Sequence, residues 1–224
     1  MLVPSDCAMF CKSKPSLPRL ISKLALQWLN TYTGAIMKPT IVLMMGKTGS
    51  GKGTQSELLA KKLGYKIFST GDEFRKLRER QDVLGEKVRA EYDKGLLMPY
   101  WFASYLFEDA LLKLPPTQGL VCEGVGRKEP EARLFNDVAT WLGRDYRVFE
   151  LTVTDEEVIK RQLLRNRPDS NTVGILKVRL DEYRNNTAAA IAFFKSIGKV
   201  TDVDGMGTPE DIHANIMKEL GLKS

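Results

Sequence analysis

A glycine-rich run with a lysine near its end is the strongest chemical signal in the chain. Residues 45–55 read MGKTGSGKGTQ and follow the apolar run TIVLMM. Glycines let successive backbone N–H groups converge on phosphate oxygens, and the N-terminus of a following helix adds the positive end of its dipole. Lys52 would supply a positive charge to the β- and γ-phosphates of a nucleoside triphosphate. The run therefore predicts a phosphate-binding loop.

The loop departs from the general phosphate-binding pattern at one position. That pattern, G-x-x-x-x-G-K-[ST], fits from Gly46 to Lys52 and requires a hydroxyl at the next residue. Here the next residue is Gly53, and the hydroxyl arrives one place later, at Thr54. Either the site is damaged or the variant belongs to a particular chemistry, and the rest of the chain has to decide between them.

Size and charge define the broad class of protein. A chain of 224 residues with 43% apolar and 28% charged residues is ordinary for a globular protein with one substantial core. The net charge of +6 suits anionic substrates and equally a weak nucleic-acid binder. A nucleic-acid interface would require a basic patch interleaved with aromatic residues, which the sequence lacks. No apolar stretch approaches the ~20 residues of a membrane span. We therefore expect neither nucleic acid nor a membrane as a partner.

Cysteine and histidine are too sparse for a zinc site. Cys7, Cys11 and Cys122 have no metal-ligand spacing, and His213 is the single histidine. An odd, low cysteine count is typical of a reducing compartment. The sequence therefore predicts a cytoplasmic protein without zinc.

Residues 1–36 differ in composition from the rest. They carry a basic excess over one acidic residue, Asp6, and a faint apolar stripe. We interpret them as an extension outside the fold, either disordered or not native, and Met37 as the natural start, because the apolar run leading to the loop begins directly after it. The alternative is an organelle-targeting leader.

Beyond the loop, apolar β-branched segments alternate with helical patterns. Strands are predicted at 40–45, 65–69, 119–124, 146–153 and 199–205. Helices are predicted at about 54–64, from 70, and at 84–94, 101–114, 130–142, 155–166, 173–195 and 208–220. Such alternation is typical of a parallel sheet covered on both faces. The predicted fold class is α/β, a P-loop NTPase-like five-stranded parallel sheet flanked by helices.

The delayed hydroxyl has a counterpart in a known family. The form G-x-x-G-x-G-K-G-T-Q is found in adenylate kinases and their nucleoside monophosphate kinase relatives, and this chain resembles it with GKTGSGKGTQ. Five later stretches also resemble that family: FSTGDEFRK (68–76), DKGLLMP (93–99), VTDEEVIKRQLLR (153–165), VRLDEYRNNT (178–187) and DVDGMG (202–207). The resemblance covers residues 38–222, nearly all of the chain after Met37.

The resemblance implies a domain plan and a reaction. Residues 37–222 would form a nucleoside monophosphate kinase domain, with a helical monophosphate-binding insertion at about 69–100 and a short lid at about 166–175. The implied enzyme is a monomeric phosphotransferase whose substrates are ATP, carrying Mg²⁺, and a nucleoside monophosphate. The lid would hold no zinc, because no cysteine lies between Arg167 and Arg179.

The resemblance also assigns site residues. Those implied for ATP are Gly49, Ser50, Gly51, Lys52, Gly53, Thr54, Arg161, Arg165 and Gly207. Those implied for the monophosphate are Thr70, Arg75, Leu96, Leu97, Met98, Gly124, Arg127, Glu131, Arg167 and Arg179. The implied catalytic cations are Lys52, Arg127, Arg165, Arg167 and Arg179. No direct metal ligand is implied; Glu123 would hold Mg²⁺ through water.

Three residues depart from the family's motif on the third strand, which usually reads Asp-Gly-Phe-Pro-Arg and, four residues on, Gln. Here EGVGRKEPE places Val125 and Gly126 before Arg127, and Glu131 at the glutamine position. Loss of the proline predicts a more flexible turn and a looser presentation of Arg127.

Glu131 leaves the acceptor open. A glutamine amide both donates to and accepts from adenine, whereas a carboxylate only accepts unless it is protonated. Guanine offers two neighbouring donors that suit a carboxylate. The leading prediction is transfer from Mg·ATP to AMP. The alternatives are transfer to GMP or a pyrimidine monophosphate, and a nucleotide-binding protein with impaired catalysis.

Overall fold

Five short strands form the central sheet. The computed structural model describes residues 40–165 and 172–222. The strands are β1 (Ile41–Gly46), β2 (Lys66–Ser69), β3 (Leu120–Glu123), β4 (Tyr146–Thr152) and β5 (Val200–Asp204). They pair in the order β2-β3-β1-β4-β5, and every pairing is parallel. The predicted five-stranded parallel α/β sheet is confirmed.

Helices follow the strands and cover the sheet. Within the described residues they are α1 (Lys52–Leu63), α2 (Thr70–Arg78), α3 (Val83–Tyr92), α4 (Tyr100–Leu112), α5 (Glu129–Trp141), α6 (Asp155–Arg165), α7 (Val173–Glu182), α8 (Ala188–Ser196) and α9 (Pro209–Glu219). Their ends follow local chemistry. The Asp82 carboxylate caps α3 by accepting from the Gly85 N–H, and Gly64 ends α1 in the left-handed conformation.

Strand β1 is buried on both faces, and this explains its uninterrupted apolar sequence. Leu43 lies in one core cluster with Phe135 and Phe194. Met44 lies in the opposite cluster with Phe149. The strand is therefore held from both sides, and so is the point where it ends and the glycine loop begins.

The chain crosses from one half of the sheet to the other at β1. Strand β3 pairs with one edge of β1 and β4 with the other, and Met44 of β1 is in register with Glu123, the last residue of β3. In open parallel sheets, ligands bind in the crevice at the carboxyl ends of strands where the order reverses. We therefore expect a ligand site at the carboxyl ends of β1 and β3.

The helix predicted at 173–195 is interrupted by a π-helical turn, Tyr183–Thr187, between α7 and α8. Its wider hydrogen bond runs from the Ala188 N–H to the Tyr183 carbonyl. The Tyr183 hydroxyl donates to Oε1 of Glu150 on β4, at 2.6 Å. The apolar spacing of this segment continues through the turn, so the sequence pattern could not reveal it.

Helices α2 and α3 lie within the predicted insertion at 69–100 and, with the start of α4, form an apolar cluster of their own that includes Phe74, Val88 and Phe102. The role of this segment in binding a monophosphate stays a prediction. The predictions for residues 1–36 and Met37, and for most of the lid including Arg167, fall outside the described residues. None of the helices in the described ranges is long and apolar enough to cross a membrane.

A buried arginine ties the β3 approach to the start of β4. Arg144 is 9% exposed and donates to the carbonyls of Leu114, Pro115 and Gln118 at distances of 2.9–3.0 Å. These carbonyls belong to the irregular loop that leads into β3. Because partly buried carbonyls without donors are costly, this side chain helps to hold the loop in place.

Replacing Arg144 with methionine is expected to lower the free energy of unfolding by about 3 kcal/mol or more, because three carbonyls lose a charged donor. Arg147, an exposed residue of β4, provides the matched control, and Arg147→Met should change stability by less than about 0.5 kcal/mol. Urea unfolding followed by circular dichroism measures both. Equal effects in the two variants would contradict the anchoring role.

Candidate active site

Lys52, the first residue of α1, is folded back onto the glycine loop. It is 6% exposed, and its Nζ donates to the carbonyls of Gly46 at 2.9 Å and Lys47 at 2.6 Å. Burial lowers the pKa of Lys52 to about 8, opposed by the negative charge of Glu123. Nearby arginines lower that pKa further. These two carbonyl oxygens therefore hold the ammonium group in the loop. Phosphate oxygens of a bound ligand could take their place as acceptors.

Residue 53 is glycine, where the general pattern has serine or threonine, because a carboxylate lies close to this position. A Cβ built on Gly53 would lie 3.3 Å from Oε2 of Glu123, tighter than most contacts of a real Cβ. Glu123 ends β3 beside the loop. A side chain at residue 53 would crowd this carboxylate. The loop is thus a variant built around Glu123 rather than a damaged version of the general pattern.

Two connected clefts open at the carboxyl ends of the strands. The main cleft lies between the loop, the α2–α3 segment and α7; its wall includes Thr70, Arg75, Met98, Arg127 and Arg179. The second cleft lies between the loop, α6 and the turn after β5; its wall includes Thr54, Arg161, Gly207, Pro209 and Ile212. Lys52, Glu123 and Arg165 line both clefts. A ligand in one cleft would therefore meet a ligand in the other at these three side chains.

Positive groups converge where the clefts meet. Arg127, Arg165 and Arg179 all act electrostatically on Lys52. Burial lowers the pKa of Arg127, with Glu123 opposing and Arg179 adding to the effect. Bringing like charges together without water costs free energy unless an anion joins them. The arrangement is suited to highly charged anionic ligands such as polyphosphates.

Tyr92 orients two of the arginines and was not anticipated from the sequence. Its hydroxyl accepts from Nη1 of Arg75 at 3.1 Å, and the guanidinium of Arg179 lies 5.6 Å from the centre of its ring. Arg75 also forms an ion pair with Asp72. In the sequence, Tyr92 is one apolar position of a predicted helix, so no local signal distinguishes it from a core residue.

Glu131 secures the turn that carries Arg127. It is 5% exposed, and its Oε2 accepts from the backbone N–H of Arg127 at 2.8 Å. Gly126 has a φ of +67°, a conformation closed to proline, whose φ is about −65°. The carboxylate thus restrains the backbone that glycine has reoriented, which acts against the looser presentation of Arg127 expected from the loss of proline.

Arg161 lies in the second cleft and is held from both sides. Its Nη1 donates to the carbonyl of Gly205 at 2.9 Å, and its Nε donates to Oε1 of Glu157 at 2.8 Å. Gly207 lies on the same wall. A planar cation at this wall could stack on a nucleobase, which agrees with the ATP-binding role that the family resemblance implies for Arg161.

Two further groups support the loop. Nζ of Lys47 donates to the Val153 carbonyl at 2.8 Å and to Oδ1 of Asp155 at 2.6 Å. Asp155 also pairs with Arg184 of the π-helical turn. Gln162 is buried and lines both clefts. The two Lys47 contacts join residues 106 and 108 positions apart, so spacing in the sequence could not indicate them.

Most of the residues assigned from the sequence line the clefts. In the main cleft lie Gly49, Lys52, Gly53, Thr70, Arg75, Leu96, Leu97, Met98, Glu123, Gly124, Arg127, Glu131, Arg165 and Arg179. In the second lie Gly49, Gly51, Lys52, Gly53, Thr54, Glu123, Arg161, Arg165 and Gly207. Ser50 is the exception, since it lies fully buried and off both walls. Arg167 is outside the described residues.

A parallel sheet with this loop after β1 and two clefts meeting at a lysine defines the class of P-loop phosphotransferases. Residues 44–199 match the family model described as adenylate kinase. The chain is similar to the adenylate kinase of Chlamydia felis, with 30% identity covering 81% of this chain and 98% of the relative. For the enzyme of Parabacteroides distasonis the figures are 35%, 78% and 94%, and for that of Thermus thermophilus 32%, 81% and 97%.

The chain belongs to the adenylate kinase family. It is a phosphotransferase, a nucleoside monophosphate kinase that binds ATP.

Restoring the family's proline at residue 126 is expected to harm this protein. Gly126→Pro cannot adopt a φ of +67°, so we expect a loss of about 3 kcal/mol in the free energy of unfolding, together with reduced ADP formation. Gly174→Ala is the control for stability, because a Cβ there meets no atom within 4 Å and alanine favours a helix. Urea unfolding compares the two variants, and a coupled ADP assay compares Gly126→Pro with the parent. A Gly126→Pro variant as stable as the parent would refute the observed turn.

Proposed function

We propose that the protein transfers the γ-phosphoryl group of Mg·ATP to AMP and yields two molecules of ADP. The observation that carries the proposal is the shared border of the two clefts, where Lys52, Glu123 and Arg165 line both. Such a border is what transfer between two bound nucleotides requires, with ATP in the second cleft and the acceptor in the main one. The relatives described as adenylate kinases support AMP as the acceptor.

The central task of this reaction is to bring two anions together. Two unit charges 4 Å apart repel by about 4 kcal/mol at an effective dielectric constant of about 20, and phosphates carry more than one charge each. Lys52, Arg127, Arg165 and Arg179 offset this repulsion in our proposal. Arginine suits the role because its planar fork binds two phosphate oxygens at once. Arg167 completes the predicted set.

The acceptor needs no general base. The phosphate oxygen of a nucleoside monophosphate is already anionic, so it can attack phosphorus without losing a proton. Positioning and charge neutralisation therefore account for the catalysis. We propose that Arg75 and Arg127 bind the acceptor phosphate, with Tyr92 orienting Arg75. Thr70, Gly124 and the segment Leu96–Leu97–Met98 would surround the acceptor nucleoside.

Glu123 fits the role of a water-mediated partner of Mg²⁺. A carboxylate is a hard oxygen donor of the kind that Mg²⁺ prefers, and Glu123 lies at the border of both clefts, next to the loop that would hold the ATP phosphates. The cation that accompanies ATP would neutralise charge on the transferred phosphoryl group. The extra methylene of glutamate, compared with aspartate, extends the carboxylate towards Gly53.

ATP must be kept from water while the acceptor is absent. We propose that the short lid at about 166–175 closes over the phosphates, carrying Arg167. We also propose that the protein acts as a monomer in the cytoplasm. Its partners would be the two nucleotides alone, without nucleic acid or a membrane.

A second acceptor is favoured by one residue. Glu131 lines the main cleft as a carboxylate, and an ionised carboxylate suits the two adjacent donors of guanine better than the mixed edge of adenine. GMP is therefore the second candidate, and a pyrimidine monophosphate the third.

The decisive experiment measures ADP formation from Mg·ATP with AMP, GMP, CMP or UMP, using the full chain. We expect turnover with AMP, and a loss of at least about 100-fold in Lys52→Met, because a buried cation that meets transferring phosphates is removed. Lys61→Met, on the exposed side of α1, should leave turnover unchanged. No turnover with any acceptor would instead favour a protein that binds nucleotides without transfer.

Tyr92→Phe tests the orientation of Arg75. The variant keeps the ring beside Arg179 and removes only the hydroxyl that accepts from Arg75. We expect KM for the monophosphate to rise about 3- to 10-fold, the equivalent of one hydrogen bond, while KM for ATP stays unchanged. Tyr105→Phe, an exposed tyrosine of α4, is the control. A rise in KM for ATP alone would contradict the assignment of the main cleft to the acceptor.

A further inference from the structure

Two buried polar groups lie at the apolar end of the main cleft. Thr70 is 4% exposed, and its Oγ1 has no hydrogen-bond partner within the described residues. Glu131 is 5% exposed. A Cβ built on Gly124 would lie 3.4 Å from the Thr70 Cβ and 2.9 Å from Nη2 of Arg127, the residue whose N–H Glu131 accepts. Thr70 and Glu131 thus flank the same turn.

The surroundings of these two groups suit a flat heteroaromatic ring. Leu97, Met98 and Val125 contribute apolar wall to the same cleft. Apolar walls with a few fixed polar groups are typical of sites that bind a nucleobase. If the proposed function holds, the base in question is that of the acceptor.

The Glu131 carboxylate faces two backbone N–H groups, those of Arg127 and Lys128. The bond from Arg127 ends on Oε2 at 2.8 Å, so a proton added to this carboxyl would reside on Oε1. Two of the four lone pairs of the ionised carboxylate remain for a ligand. The carboxyl can therefore present two acceptors when ionised, and one donor beside one acceptor when protonated.

These two states complement different purines. The donor–acceptor pair matches N1 and the N6 amine of adenine, as an amide would, and the double acceptor matches N1–H and the N2 amine of guanine. Resting on the proposed function, we propose that Glu131 binds the edge of the acceptor purine and that its protonation state selects between AMP and GMP.

The charges around Glu131 place this choice near neutral pH. Burial raises the pKa of Glu131 to about 7, while the hydrogen bond from Arg127 and the positive charges of Arg127 and Lys128 oppose the rise. On the opposite side, α4 contributes Glu108 to a small cavity that Glu131 also lines, together with Ser104 and Phe135. Burial raises the pKa of Glu108 as well. Below pH 7 the acid predominates and favours AMP; above pH 7 the carboxylate favours GMP.

The test measures dissociation constants of AMP and GMP by calorimetry at pH 6.0 and pH 8.5, without ATP. Both ligands carry the same phosphate, so its titration cancels in their ratio. For a group with a pKa of about 7, the protonated fraction falls about 30-fold across this interval while the ionised fraction rises about 10-fold, so we expect the preference for AMP over GMP to fall by about 300-fold.

Glu131→Gln is the decisive variant. It retains an oxygen for the Arg127 N–H and cannot titrate, so it should prefer AMP with a ratio that does not change with pH. Glu129→Gln, two residues earlier in α5 and paired with Arg133 on the surface, should behave as the parent does. Thermal unfolding of both variants confirms that they are folded.

The outcomes separate the two proposals. A ratio in the parent that is constant with pH, or one that changes equally in Glu131→Gln, overturns the role of Glu131 even if AMP is phosphorylated. Failure to form ADP from any acceptor overturns the proposed transfer, while the binding ratio still decides whether Glu131 discriminates between purines.

Discussion

Mutual repulsion among clustered cations is the constraint on which the rest of this protein depends. Lys52, Arg127 and Arg179 act on one another electrostatically, and burial together with the neighbouring arginines lowers the pKa of Lys52 and of Arg127. One carboxylate, that of Glu123, offsets part of the cost. Such a cluster is most stable with anions among its members, so bound polyphosphate should add to the stability of the fold. Binding of an anionic substrate should therefore reduce the electrostatic repulsion among these cations.

A cluster of this kind requires a rigid support. The fully buried β1 delivers the glycine loop to the middle of the sheet edge, and side chains from distant segments then restrain its surroundings. Lys47 ties the loop to Asp155, and Gln55 donates to the carbonyl of Pro209 at 2.8 Å. Because these bonds hold the loop and α1 to neighbouring segments, Lys52 keeps its position before any ligand arrives. Pre-organisation of this type is how positioning contributes to phosphoryl transfer.

The departures from the family motif act together. Gly126 adopts a backbone conformation that proline cannot, and Glu131 accepts the N–H of the next residue, Arg127. The carboxylate thus restrains the turn that a proline would otherwise have stiffened. The same carboxylate lies in the main cleft, beside the acceptor site of our proposal. In our proposal, one substitution therefore serves both the backbone of this turn and the recognition of a base.

Short-range periodicity and a contiguous motif in the sequence predicted the succession of strands and helices along the chain and the phosphate loop. Resemblance to the family, and not periodicity, singled out Arg75, Arg127 and Arg179, which line the main cleft. The tertiary structure alone decided that Tyr92 contacts two of these arginines, that Glu131 is buried against the Arg127 backbone, and that a π-helical turn brings Tyr183 to Glu150. Those contacts join segments far apart in the chain. Their energies depend on distances and burial that exist only once the sheet has brought the segments together.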